Sequence, residues 1–368
     1  MRGVDTELKN SEAPLRPGQR LTMTNQPKAG IGLWLDCARV LAALAICYYH
    51  LGLFLPLPLS AEGEYAVATF LLLAISSAVA FSLPKHAALN PWSYLGARLG
   101  RLLPLYVFVN VSIYAASFFI PSKLGRPFTV IELVLSSLGL SQYFGHRYLS
   151  EVFWFVPFVI QVYVLIAFGH RGIERLRGWW LLPAAFVLYW LEILAAEIWT
   201  AHPHQIIRDW SPLLRPAEVL FSVQGGLWLT GRLPDRAFAG RLVLYTALAG
   251  ILAALGAWQG GAGELTYLYM LPLHGLVVSL VILGAAWLCA RLVASDAAGW
   301  WRRLGRATYP FYLIHGMAIA AIFHRFGASP GVWLGYLVVC VAAALTLDAV
   351  FSYRPRRRTA VPSISPVS

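Results

Sequence analysis

The sequence predicts an all-α integral membrane protein of about ten transmembrane helices, and three observations carry that expectation. First, 58% of its 368 residues are hydrophobic and only 12% are charged, with a mean hydropathy of +0.63. A soluble domain is not this apolar. Second, the apolar residues gather into repeated runs long enough to cross a hydrocarbon core of about 30 Å. Third, the basic residues fall in short clusters in alternate connections between those runs, so that they gather on one side, as the positive-inside rule requires.

The expected spans are 33–57, 65–83, 102–120, 152–168, 179–198, 214–231, 242–258, 265–289, 307–325 and 331–351. The first three are set off by the polar N-terminal stretch, the 57–65 connection and the 84–101 loop; the later ones by the basic loops 169–178, 232–241 and 290–306. With the N-terminus inside, the four basic loops and both tails hold 22 of the 29 Lys and Arg residues. Both termini are therefore expected in the cytoplasm. The apolar segment 128–144 is expected to be re-entrant or to lie at the interface, since a full crossing there would place Arg171, Arg175, Arg177, Arg302 and Arg303 outside. Residues 1–30 read as a disordered cytoplasmic tail without a cleaved signal peptide. Residues 31–353 read as one membrane domain, and 354–368 as a basic cytoplasmic tail.

Charge and cysteine usage exclude other classes. The net charge of +12 forms no continuous basic stripe and no nucleic-acid motif, so the basic residues read as topology signals and no nucleic-acid partner is expected. Cys37, Cys47, Cys289 and Cys340 lack CxxC spacing, and the His202-Pro203-His204 loop lacks further ligands nearby. No metal is expected.

Polar residues inside the spans carry the chemistry. Arg39 and His50 are eleven positions apart in the first span, about 16 Å along a helix, so Arg39 is expected at the membrane edge and His50 near its middle. His315 and His274 can reach a similar depth from the ninth and eighth spans. Arg98 and Arg101, three apart, share a face if their segment is helical, and two guanidiniums there suit a phosphate; they also read as ordinary topology anchors. Asp36 is placed to pair with Arg39. Glu192 lies well inside the fifth span, while Trp154, Gln161 and Tyr163 can line a cavity or fill the core.

Together these residues carry a resemblance. Leu35-Asp36-Cys37-Ala38-Arg39 through Tyr49-His50 resembles the first helix of the membrane-bound acyltransferase family 3, with Arg, ten residues, then His. Arg98-Leu99-Gly100-Arg101 is similar to its Arg-x-x-Arg element, and Leu304-Gly305-Arg306-Ala307-Thr308-Tyr309 through Leu313-Ile314-His315 to its late signature. The resemblance implies a multi-pass enzyme of the cell membrane that contacts lipid and moves an acyl group from cytoplasmic acyl-CoA, acetyl-CoA being the expected donor. The implied acceptor is a hydroxyl of a carbohydrate, glycolipid or small natural product. It further implies that His50 is the essential histidine, as base or acyl relay, with Arg39 its motif partner and Arg98 and Arg101 the contacts to coenzyme A. Trp154-Phe155-Val156-Pro157 departs from the family's acid-bearing element, leaving Glu151 and Gln161 as substitutes, and no fused esterase-like domain is expected. A multi-span transporter or flippase for a polar lipid or metabolite fits the spans equally well, and a scaffold fits them without using the polar layer.

Overall fold

The computed structural model describes residues 31–52, 57–82, 90–119, 127–141, 149–199, 215–258, 264–293, 295–327 and 329–352. Among these the structure is all helical, without a strand. The elements run α1 (Ile31–Gly52), a 3-10 turn (Ser60–Tyr65), α2 (Ala66–Ser77, continued as one π turn), α3 (Pro91–Ala116), α4 (Val130–Ser137), α5 (Phe155–Gly169), α6 (Leu181–Trp199), α7 (Pro216–Leu229), α8 (Asp235–Trp258), α9 (Glu264–Leu292), α10 (Ser295–Phe326) and α11 (Pro330–Ser352). Seven helical stretches are long and apolar enough to cross a membrane: Ile31–Gly52, Gly63–Ser82, Pro91–Ala116, Phe155–Arg177, Asp235–Trp258, Leu268–Leu292 and Gly331–Phe351.

The three other expected spans have physical reasons for falling outside that set. The apolar part of α6 ends at Ala195. The 14 residues of α7 rise only about 21 Å; most of its side chains are buried between α2, α6 and α8, so its backbone is shielded from lipid by protein. The 32-residue α10 carries Asp296, Arg302, Arg303 and Arg306 in its first half.

Segment 128–144 contains the eight-residue α4, which rises about 12 Å, less than half the hydrocarbon thickness. Its start is a capping box. Thr129 Oγ1 accepts the Glu132 backbone N–H, and the Glu132 carboxylate accepts the Thr129 N–H at 2.7 Å. Its Ser136 hydroxyl donates to Asn110 Oδ1 on α3 at 2.6 Å, while Val130, Ile131, Val134 and Leu138 face outward. That is one polar, anchored side and one apolar side.

Packing follows the same economy of polar groups. Pro272 has no N–H to give the carbonyl of Leu268, one turn earlier in α9, and that carbonyl accepts the Tyr189 hydroxyl from α6 at 3.0 Å. Around the bundle Phe108, Val111, Leu191, Val281, Val338 and Val339 are exposed, a surface that only a lipid environment accommodates. This is a multi-pass membrane protein.

Candidate active site

The site is built where α1 and α10 meet. Gly305 of α10 packs so tightly on Asp36 of α1 that an added Cβ would lie 2.7 Å from the Asp36 Cβ and 2.9 Å from Oδ1. Only glycine leaves room there. Asp36 accepts from Arg39 Nη1 at 2.7 Å, and Arg39 Nη2 donates to Ser77 Oγ on α2 at 3.0 Å. Arg39 is thus fixed from two directions. The charges of Arg302 and Arg306 also reach Asp36, and Arg306 approaches Asp348 of α11 at 3.6 Å. Gly305→Ala should push α10 off α1 at a cost of about 1–3 kcal/mol for overpacking, read as a lower melting temperature of the purified protein; an unchanged melt would show that the contact relaxes freely.

The α3 arginines complete this end. Asn90 caps α3 by accepting the Trp92 N–H, and Pro91 stands at the first helical position, so Arg98 and Arg101 lie two to three turns inside a helix. They share a side but not an environment. Arg98 is half-buried, its guanidinium 5.6 Å from the ring centres of both Tyr94 and Tyr163, whereas Arg101 is exposed within electrostatic reach of Arg98, Arg39 and Asp348. The Tyr309 hydroxyl of α10 donates to the Leu102 carbonyl at 2.9 Å and ties α10 to α3. Arg39, Arg98, Arg101, Arg302 and Arg306 therefore gather around two carboxylates, Asp36 and Asp348, leaving an excess of positive charge.

Farther along the same two helices the histidines meet. The rings of His50 and His315 have centroids 5.1 Å apart. His315 is fully buried, stacked at 5.7 Å on Phe311, with Nδ1 2.7 Å from the Tyr312 carbonyl. That contact makes Nδ1 the donor and Nε2 the lone-pair nitrogen; Nε2 has no hydrogen-bond partner among the described residues. Tyr336 of α11 supports the turn by donating to the His315 carbonyl at 3.2 Å. The contacts Asp36–Gly305 and His50–His315 come in the same order along both chains, so α1 and α10 run parallel.

The remaining sequence candidates divide. α1 ends at Gly52, ahead of Pro56 and Pro58, so His50 lies in its last turn rather than halfway along it. His274 is edge-on to Tyr65 at 4.9 Å. Glu192 is next to Tyr189 on α6, with Oε2 buried and unpartnered among the described residues. Tyr163 joins Arg98, and Gln161 is half-buried on α5, about one turn beyond Phe158 and two beyond Trp154. Trp154 is buried against Phe155 and Phe158. His202 and His204 lie outside the described residues.

The buried Arg215–Glu218 ion pair at the start of α7 escaped the reading of the sequence. Arg215 passes there for an outer-loop charge. Its signal was the Arg-Pro-x-Glu spacing, which sets an i, i+3 pair at a helix start.

The sequence model of acyltransferase family 3, described as an acyltransferase domain, matches residues 33–349. The chain belongs to this acyltransferase family. No curated protein and no solved structure matches it. As a membrane acyltransferase it is an enzyme, which sets aside the transporter and scaffold readings. The match runs from α1 to the end of α11 and takes in both helices of the histidine pair.

Proposed function

We propose that this acyltransferase transfers an acyl group, acetyl in the expected case, from cytoplasmic acyl-CoA to a hydroxyl of a carbohydrate, glycolipid or small natural product at the cell membrane. One observation carries the reading: the same two parallel helices hold an arginine cluster at one end and a paired imidazole site farther along. Eleven residues of α1, about 16 Å, separate Arg39 from His50. That separation suits a donor whose phosphates are held by guanidiniums while its thioester sits at the end of an extended pantetheine arm.

In the proposed reaction His50 takes the proton of the acceptor hydroxyl as its oxygen forms a bond to the thioester carbonyl carbon. The C–S bond then breaks, and the coenzyme A thiolate leaves with the proton returned from imidazole. His315 contributes the second nitrogen lone pair, in a tautomer held by the Tyr312 carbonyl. Arg39 acts as a positioning residue, joining α1 to α2 through Ser77.

The proposed topology has both termini in the cytoplasm and ten crossings. Parallel α1 and α10 enter from the same side, which requires an even number of crossings before α10. Counting α1–α3 and α5–α9 gives eight; adding α4 would make the number odd. A reporter fused after Arg177 should therefore read as cytoplasmic, and one placed in the 199–212 loop as the opposite side. Exchange of the two locations would mean that 128–144 crosses. The function is tested by incubating purified protein with labelled acetyl-CoA: slow acceptor-independent release of labelled acetate and free coenzyme A supports it, and saturable binding absent at any donor concentration sinks it.

A further inference from the structure

Gly305 on Asp36 fixes how α1 and α10 meet at their arginine end, but His315 lies ten residues farther along α10, about 15 Å away. A close contact at one end of two rods leaves their tilt open, and over that length a tilt of about 4° moves the rings by about 1 Å. A misplacement of that size at reacting groups costs about 100-fold in rate.

The second fixing point is Tyr336 of α11. It is buried with Leu51 of α1, Ala307 and Phe311 of α10 and Ala344 of its own helix in one apolar cluster. Its hydroxyl joins the two histidine helices: it donates to the His315 carbonyl at 3.2 Å and accepts from Cys47 Sγ of α1 at 3.6 Å. Cys47 is three residues before His50 and therefore on the same side of α1, so both ends of this chain fall within one turn of an imidazole. Cys340, one turn on along α11, also reaches the hydroxyl. The two bonds to the His315 residue divide the work. The Tyr312 carbonyl holds the ring through Nδ1, whereas Tyr336 holds the backbone that carries the ring. In an apolar layer such bonds are stronger than in water, and linked bonds strengthen one another.

We propose that Tyr336 is a positioning residue for acyl transfer, which sets the spacing of the His50 and His315 rings by tying Cys47 to the His315 carbonyl. The inference rests on the proposed acyl transfer and adds the group that holds its histidine pair in register.

The test measures hydrolysis of labelled acetyl-CoA by full-length purified protein, with water in place of the acceptor. Tyr336→Phe keeps the ring and removes only the hydroxyl, and the thiols it leaves are weak donors, so the fold should stand. Its kcat should fall about 10- to 100-fold while the KM for acetyl-CoA stays within about twofold of the wild type, because the arginine end is untouched. Cys47→Ala should lose less, and Cys47→Ser, which keeps a donor at that position, less still. The deciding variant is Tyr336→Phe made in the His315→Gln background. Acting through His315, the Tyr336 hydroxyl should be worth less than about twofold there, whereas a hydroxyl that only supports the fold would cost the same factor in both backgrounds. Equal factors, or a kcat for Tyr336→Phe within about twofold of the wild type, would overturn the positioning role and leave acyl transfer in place. Wild type that releases no acetate from acetyl-CoA would reject the acyl-transfer reading and the positioning role with it.

Discussion

His50→Ala is expected to lower acyl transfer by about 100- to 10,000-fold, the usual contribution of a positioned acid–base group, while membrane insertion and donor binding stay as in the wild type. The imidazole lies in the last turn of α1, with the His315 ring 5.1 Å and the Tyr49 ring 4.9 Å away. His315→Gln should have a smaller effect, because an amide can keep the contact to the Tyr312 carbonyl while losing the nitrogen lone pair. Steady-state rates with detergent-solubilised protein make the comparison. His50→Ala activity within a few-fold of the wild type would remove His50 from the chemistry. The same variant separates base from relay: acid-quenched wild type incubated with labelled acetyl-CoA alone retains protein-bound label only if an acyl-imidazole forms, and His50→Ala should then lose it.

Much of this architecture was legible in the sequence because a bilayer leaves few choices. Apolar length located the helices, although α3 and α10 begin about three turns ahead of the expected 102 and 307 because their first halves carry polar and charged residues, and the i, i+3 spacing of Asp36 and Arg39 anticipated an ion pair on one helix face. What composition could not give is length in three dimensions. α7 survives at 14 residues because neighbours bury it, and a buried short helix reads in sequence like any apolar run.

The site was legible in part for a related reason. His50 and His315 were visible as ionisable groups in apolar runs, but their contact depends on the register of α1 against α10. That register is set by Gly305 on Asp36, a glycine that looks like any other until the helices meet. His274 shared their apparent depth and went to a different neighbour, Tyr65, since depth along a span says nothing about the direction a side chain faces.

Replacing the α3 arginines should separate donor from acceptor. If Arg98 and Arg101 hold the coenzyme A phosphates, removal of one charge-assisted hydrogen bond costs about 1.5–3 kcal/mol, or about 10- to 150-fold in donor affinity. The structure sharpens the comparison. Arg98 is half-buried beside the Tyr94 and Tyr163 rings, so less freedom is lost when it grips a ligand than at the exposed Arg101. Arg98→Ala should therefore show the larger loss, and Tyr163→Leu, which removes one of the two rings but no charge, a smaller loss of the same kind. Lysine at either position should fall between Arg and Ala, because it keeps the charge and gives up the planar fork. Acceptor affinity should change little in any of them. The measurement is donor titration at fixed acceptor, with topology reporters on each variant because these residues also count among the basic residues expected to set topology. Unchanged donor affinity in a correctly inserted double Ala variant would take coenzyme A away from this end of α3 and leave Arg39, Arg302 and Arg306 as the remaining phosphate contacts.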